Sequence, residues 1–337
     1  MLEPPYELIA DGLKDGTVVP FFGAAASAAY RPDSENWEPG KPFFPFGGEV
    51  ASMLAVAANY PVSKAAYDSA LSDLVSAVGG IASGVAADLV KAALSPVLQR
   101  HIGDAPALAL IASWAEHVQG DRRSLDRKLR QYFAVDGKPG LLHTKLAGID
   151  ATRVYVTTNY DDLLEKALQH RNPHLIIDRG DKGLWVSVAG GPLQPVASTG
   201  TELYDLLDDP KTQQPSSPVI FKMHGSVDVN TSSNDSYLIT EEDYVDFLGR
   251  SGGNYIPPYI SGLFANKNFL FLGYSLADWN VRVILRKLLK TTIGKVRFWA
   301  IVRGRSDIEQ SVWQAQNLNI YPMNLLEFTA KLSQHIK

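Results

Sequence analysis

The residues with the most chemical content stand at the ends of apolar strands. Val154-Tyr155-Val156 is β-branched and aromatic and reads as a buried strand. Thr157-Thr158-Asn159-Tyr160-Asp161-Asp162 then supplies hydroxyls, an amide and two carboxylates before Leu163, Leu164, Ala167 and Leu168 continue at helical spacing. The carboxyl end of a strand is where an α/β sheet meets its ligands. Asp161 is there either to face a ligand or to serve as the first-turn acid of the following helix.

Three further corners share this form. Thr17-Val18-Val19-Pro20-Phe21-Phe22 runs into Gly23-Ala24-Ala25-Ala26-Ser27. Small side chains there let a diphosphate approach the backbone and a helix N-terminus. The same residues serve equally as a tight turn with close helix–sheet packing. Val219-Ile220-Phe221-Lys222-Met223 ends in His224-Gly225-Ser226, where His224 is either structural or the group that meets substrate. Phe269-Leu270-Phe271-Leu272 ends in Gly273-Tyr274-Ser275, whose N–H and hydroxyl groups suit an anion. Asp278 and Asn280 open the helix after it, with Asp278 either a plain first-turn acid or a ligand contact.

The elements that must position these corners alternate. Strands are expected near 153–157, 174–178, 184–188, 218–223, 268–272, 296–301 and 318–321. Helices are expected near 160–170, 201–208, 241–249, 256–265, 277–290, 306–316 and 324–335. Alternation with continuous apolar strands predicts a largely parallel sheet covered by helices on both faces. Before it, residues 1–48 hold a short helix, the first strand, the small-residue corner and a loop rich in Pro, Gly and aromatics. That loop either packs on the core or covers a ligand. Residues 49–150 read as a helical insertion, with segments near 48–59, 64–77, 82–101, 105–118 and 121–133. Its run Asp121-Arg122-Arg123-Ser124-Leu125-Asp126-Arg127-Lys128-Leu129-Arg130 reads first as a solvated helix face laced with i,i+4 pairs. Residues 151–337 complete the α/β domain.

Composition excludes several function classes. A net charge of -4 over 337 residues predicts no general affinity for nucleic acid or anionic membrane. The chain has no cysteine, so disulfides, thiol nucleophiles and Cys-ligated zinc are ruled out. No apolar run reaches the ~18 residues of a membrane span, and the N-terminus lacks a signal-peptide pattern, which places the protein in the cytoplasm. No G-x-S-x-G, H-E-x-x-H or Gly-Lys-Ser motif occurs. His101, His117, His143 and His335 are scattered, and Pro173 breaks the helix that would align His170 with His174 as metal ligands. No metal is expected.

Gly23 to Ser27, Thr157 to Asp161, His224-Gly225 and Gly273 to Ser275 together resemble the sirtuin-like NAD-binding family, in that family's order. The chain is still more similar to the sirtuin-like effector domains of bacterial anti-phage defence. The similarity lies in Thr157-Thr158-Asn159-Tyr160-Asp161-Asp162-Leu163-Leu164-Glu165, Lys222-Met223-His224-Gly225-Ser226, Tyr237-Leu238-Ile239-Thr240-Glu241-Glu242-Asp243-Tyr244 and Phe271-Leu272-Gly273-Tyr274-Ser275-Leu276-Ala277-Asp278-Trp279-Asn280. The resemblance implies a Rossmann-like α/β fold and NAD as substrate, cleaved to nicotinamide and ADP-ribose. It implies Asn159 and His224 as catalytic residues, with Asn159 holding ribose and water and His224 meeting the nicotinamide ribose. It further implies that Gly23, Ala24, Ser27, Thr158, Asp161, Gly273, Ser275 and Asp278 contact NAD. Ala25 stands where the family usually has a second glycine, and its methyl is expected to crowd the diphosphate.

The resemblance also implies an effector that depletes NAD and is restrained until triggered, by self-assembly into a homo-oligomer or by a separate sensor or ATPase protein. With only a short stretch after the Ile320 strand, no sensor domain is expected in this chain. Without cysteines the four-cysteine zinc module of protein-deacylating sirtuins is impossible, which favours plain NAD cleavage. Two alternatives stand beside it: a module that senses NAD or ADP-ribose without cleaving it, and a zinc-free NAD-dependent deacylase.

Overall fold

The computed structural model describes residues 3–31, 37–60, 106–196, 202–228, 230, 232–249, 256–274, 296–302, 313 and 317–336. The helices expected near 64–77, 82–101 and 277–290 lie outside the described residues, as do Ser275, Asp278 and all but Trp313 of the helix expected near 306–316.

The chain begins with α1 (Tyr6–Lys14), β1 (Val18–Phe22) and α2 (Ala24–Ala28). Helices α3 (Gly47–Ala57), α4 (Pro106–Gln119), α5 (Arg122–Phe133) and α6 (Leu141–Ala147) follow. Then come β2 (Val154–Thr157), α7 (Leu163–Leu168), β3 (His174–Asp178), β4 (Leu184–Ser187) and β5 (Gln194–Val196). Helix α8 (Glu202–Leu207) leads into a small hairpin of β6 (Asp208–Asp209) and β7 (Gln214–Pro215). Strand β8 (Val219–Lys222) precedes the paired β9 (Gly225–Ser226) and β10 (Ser236–Tyr237). Helices α9 (Glu241–Gly249) and α10 (Pro258–Leu263), strands β11 (Asn268–Leu272), β12 (Phe298–Val302) and β13 (Leu318–Pro322), and α11 (Leu325–Ser333) complete the described chain.

Nine strands form one sheet in the order β13-β12-β11-β1-β2-β8-β3-β4-β5. The first seven positions run parallel, and β4 and β5 join antiparallel at one edge. Every residue of β1, β2, β8 and β12 is buried, as continuous apolar runs in a doubly covered parallel sheet require. This is the expected α/β architecture of the Rossmann type.

Alternate residues feed the two faces. Phe21, Val156, Phe221, Phe271 and Phe298 point to a core completed by α9 and α10 residues such as Phe247, Tyr259 and Ile260. Phe22, Tyr155, Ile220, Leu270, Leu272 and Trp299 point the other way, onto α1, α6 and α11. From β1 the chain builds outward on one side through β2, β3 and β8, and on the other through β11, β12 and β13. The order therefore reverses beside β1, the place where open α/β sheets bind ligands.

A third core joins α3, α4 and α5 to the strand-end segments through Tyr160, Val227, Tyr237 and Ile239. The aromatic loop packs into this region. Trp37 meets Tyr132 edge-on at 5.3 Å, and Phe44 sits with Val135 and Leu163. Of the two readings of that loop, core packing accounts for Trp37 and Phe44. The basic run on α5 has the expected i,i+4 pair, Arg122 to Asp126 at 3.0 Å. The face is nonetheless not wholly solvated: Arg122 also binds Asp243 at 2.9 Å and Arg130 binds Asp235 at 2.9 Å. The helical block is thereby pinned to the chain around β10.

The seam between β1 and β11 is closed by glycine. Gly273 has φ +76°, and a Cβ on it would lie 2.5 Å from the Ala26 nitrogen and 2.9 Å from the Ala25 carbonyl carbon. Left-handed backbone alone costs an L-residue about 1–2 kcal/mol, and this overlap adds to it, so Gly273→Ala is expected to destabilise the chain by more than about 2 kcal/mol. A urea midpoint unchanged from the parent's would contradict that packing.

Candidate active site

Four strand ends converge beside the switch in strand order. The Gly23 N–H donates to the Leu272 carbonyl at 2.9 Å, and the Ala25 N–H donates to the Gly273 carbonyl at 3.0 Å. The Thr158 N–H reaches the Phe22 carbonyl at 3.2 Å, and the Met223 N–H reaches the Thr157 carbonyl at 3.0 Å. These bonds carry the sheet's ladder past its last paired residues. They bring the corners at Gly23, Thr157–Asp161, His224 and Gly273 to one edge.

Asn159 is held from both ends. Its N–H donates to Thr157 Oγ1 at 2.9 Å. Its side-chain Nδ2 donates to the Gly23 carbonyl at 2.9 Å and to Ser27 Oγ at 2.8 Å. Both amide hydrogens are thus taken, and among the described residues no donor reaches Oδ1. The residue is half-buried, and Oδ1 is left as a fixed acceptor.

Ser27 passes this order on to Asp161. Ser27 Oγ donates to Asp161 Oδ2 at 2.6 Å, and Asp161 Oδ1 accepts the Leu163 N–H at 3.1 Å. Asp161 therefore does serve as the acid at the start of α7, and it also anchors the serine that orients Asn159. The Ser27 hydroxyl hydrogen points to Asp161, and the Ala25 N–H to Gly273, so neither faces outward in this conformation. Ala24 is exposed at the head of the corner. A Cβ on Gly23 would lie 2.8 Å from the Gly273 carbonyl oxygen and 2.9 Å from the Tyr274 ring, so close packing alone requires this glycine. Thr158 Oγ1 donates to the Tyr274 hydroxyl at 3.3 Å, which itself donates to the Phe22 carbonyl at 3.0 Å.

His224 leaves β8 in a turn completed by Gly225, whose φ of +88° and closeness to the Ser236 carbonyl exclude a side chain. The imidazole is 5% exposed and lies edge-on to Tyr244 at 5.5 Å and Phe247 at 5.8 Å. Its Nε2 is buried with no hydrogen-bond partner among the described residues. A buried orphan of this kind is uncommon and marks a place where a partner is due. Burial pushes the imidazole down to about 3, so it is neutral and able to accept a hydrogen bond.

Sequence reasoning missed several neighbours. Lys222 is fully buried and pairs with Glu165 at 2.8 Å; burial pushes the Glu165 carboxyl up, and Lys222 opposes that. A lysine inside an otherwise apolar strand was the available signal. His143 of α6, read as one of several scattered histidines, stacks on Phe22 at 5.3 Å, and burial pushes it down to about 4 against the pull of the Asp161 carboxylate. Tyr160 and Tyr274 donate to backbone carbonyls that shape the site. Among the described residues no group of three His, Cys, Asp or Glu could hold a metal ion, and no helix is long and apolar enough to cross a membrane.

Three buried histidines, His143, His174 and His224, make stability depend on pH. Folded, burial holds each below its ordinary value; unfolded, each takes a proton near pH 6.5. Below that pH the unfolded chain binds protons that the folded chain refuses, so stability is full above pH 6.5 and falls with acidification. Between pH 6.5 and 5 each histidine is expected to remove up to about 1.4 kcal/mol per pH unit. Urea midpoints across this range should drop, and His143→Phe should flatten the slope by roughly a third to a half. Equal slopes for parent and variant would show that His143 titrates normally in the fold.

With this geometry established, similarity to known proteins can be placed on it. The model of the SIR2-like domain family matches residues 153–321, which run from the strand before Asn159 to β13. The chain is 28% identical over 198 residues to "NAD(+) hydrolase ThsA" of Acinetobacter baumannii (strain 532279), covering 58% of this chain and 34% of that protein. It is 26% identical over 189 residues to "Defense-associated sirtuin 2" of Bacillus subtilis, covering 54% of this chain and 15% of that protein. The chain therefore matches about a third or less of these relatives' length. The family match extends over half of the sequence and takes in the corners of Asn159, His224 and Gly273, and the chain belongs to the SIR2-like domain family.

Proposed function

We propose that this protein is an NAD hydrolase that depletes NAD as an effector of bacterial anti-phage defence. The observation that carries the reading is the Asn159 side chain: both amide hydrogens are fixed by Gly23 and Ser27, and its oxygen is left as an oriented acceptor at the end of β2. The orphaned Nε2 of His224 stands on the neighbouring strand end. The names of the relatives, one an NAD hydrolase and one a defence-associated sirtuin, point the same way.

The residues fit what NAD cleavage demands. The nicotinamide nitrogen carries positive charge in NAD, so nicotinamide departs with the bonding electron pair as a neutral molecule. The ribose carbon left behind is oxocarbenium-like, as in other glycosyl hydrolyses, and water adds to it with loss of a proton. The protein has to hold the ribose, exclude bulk water and place one water. Asn159 Oδ1 accepts from that water or from a ribose hydroxyl. Neutral His224 accepts from a ribose hydroxyl through Nε2, and the lone pair on that nitrogen is the acceptor for the released proton. Asp161 and Ser27 hold Asn159 in place. Gly23, Ala24, Thr158 and Gly273, together with Ser275 and Asp278, contact the rest of NAD.

Restraint until infection is assigned to a homo-oligomer or to a separate sensor or ATPase protein, acting in the cytoplasm without a metal. One observation favours a second reading, an NAD- or ADP-ribose-sensing module: Ala25 replaces a glycine, and its N–H is already taken by Gly273. A zinc-free deacylase is the third.

Asn159→Ala and His224→Ala are each expected to lower nicotinamide release from NAD by ~10²–10⁴-fold while the protein stays folded, as judged by circular dichroism. Release at the parent rate by both variants would refute the assignment. Release that requires an acylated peptide would establish the deacylase, and binding of NAD without release would establish the sensor.

A further inference from the structure

Lys222 is fully buried at the end of β8, where Val219, Ile220, Phe221 and Met223 around it are also buried. An apolar residue would complete this strand without the cost of burying an ammonium. The lysine therefore needs a reason beyond packing. Its Nζ donates to Glu165 Oε1 at 2.8 Å, to the Tyr160 carbonyl at 3.4 Å and to the Asp161 carbonyl. An ammonium has three donors, and all three are engaged.

Two of those acceptors belong to the turn that carries Asn159 and Asp161. The side chain itself is rooted two residues before His224. The Tyr160 carbonyl is further held by the Val227 N–H at 2.9 Å and by Ser226 Oγ at 3.4 Å, both from the segment after His224. One group thus ties the backbone of the asparagine turn to the strand that delivers the histidine.

We propose that Lys222 is a positioning residue of the active site: by gripping the carbonyls of Tyr160 and Asp161 it fixes where Asn159 stands relative to His224, with Glu165 as its counter-charge. Lys222 itself touches no substrate atom. The catalytic consequence rests on the NAD-hydrolase reading; the grip on the turn does not.

The test replaces both charges together, K222M/E165M, because removing one partner alone would leave a buried charge unpaired. Three quantities are measured on the full chain: the thermal midpoint, kcat and KM for nicotinamide release from NAD, and hydrogen exchange of the backbone amides of 158–163. The expected result is a midpoint near the parent's, KM within about twofold and kcat lower by about 10²-fold, the scale of a small misplacement of reacting groups. Exchange at 158–163 should quicken while the rest of the sheet is unchanged. Parent-like kcat overturns the proposal, even if the midpoint falls, because the lysine would then be structural only. If the parent itself releases no nicotinamide, the NAD-hydrolase reading fails separately. The exchange experiment then decides: faster exchange confined to 158–163 upholds the grip, and unchanged exchange overturns it. Should K222M/E165M not fold, K222M/E165Q, which removes the donor and both charges but keeps a polar group at 165, is read in the same way.

Discussion

Two backbone carbonyls at the end of β1 organise this molecule. A central strand that ends in a dry interior leaves acceptors that water cannot satisfy, and each must find a donor. The Phe22 carbonyl takes three: the Thr158 N–H, Thr157 Oγ1 and the Tyr274 hydroxyl. The Gly23 carbonyl takes the Ala26 N–H and Asn159 Nδ2. Satisfying these two oxygens draws the ends of β2 and β11 onto the end of β1. It also takes one hydrogen of the Asn159 amide, and Ser27 takes the other. What remains is the acceptor half, aimed by the buried Gly23 and the half-buried Ser27. Orientation of Asn159 thus follows from backbone pairing, an obligation of the fold, before any ligand is considered.

The opposite condition holds at His224. Its ring is enclosed by Tyr244 and Phe247, and its Nε2 has no partner among the described residues. One side of the site is therefore over-determined and the other is unsatisfied. That pairing suits a pocket which holds its substrate by one rigid acceptor and completes a missing hydrogen bond on the other strand. The helical block supports this wall rather than standing apart from it. Arg122 and Arg130 of α5 reach Asp243, within the helix that carries Tyr244 and Phe247, and Asp235, just before β10. The i,i+4 pair on α5 contributes only ~0.3–0.5 kcal/mol, so the longer-range contacts are the ones that order this segment.

Much of this was readable from residue types. Strands β3 and β11 begin and end where apolar runs between turn residues begin and end, and the parallel sheet follows from their continuous burial. The four corners were readable because polar or small residues interrupt apolar runs abruptly. Their internal wiring was not. Helix α7 starts at Leu163, three residues later than helical spacing suggested, because Asp161 uses its carboxylate to cap that start while holding Ser27. Ser27 is expected to contact phosphate; in this conformation its hydroxyl is an internal link. His143 looked idle because nothing in local sequence places α6 against Phe22. Strand β5 has two exposed residues and a proline, so it carries no apolar signal, and edge pairing alone defines it. The links through Ser27 and His143 are contacts between residues distant in the chain, which periodicity does not encode.

The position of NAD bound to the protein tests the assignment most directly. A crystal structure of the chain with NAD should show the nicotinamide ribose between Asn159 Oδ1 and His224 Nε2, each within hydrogen-bonding distance of a ribose hydroxyl or of a water facing the glycosidic carbon. NAD bound with that ribose away from Asn159, or His224 still sealed behind Tyr244 and Phe247 with NAD in place, would contradict it.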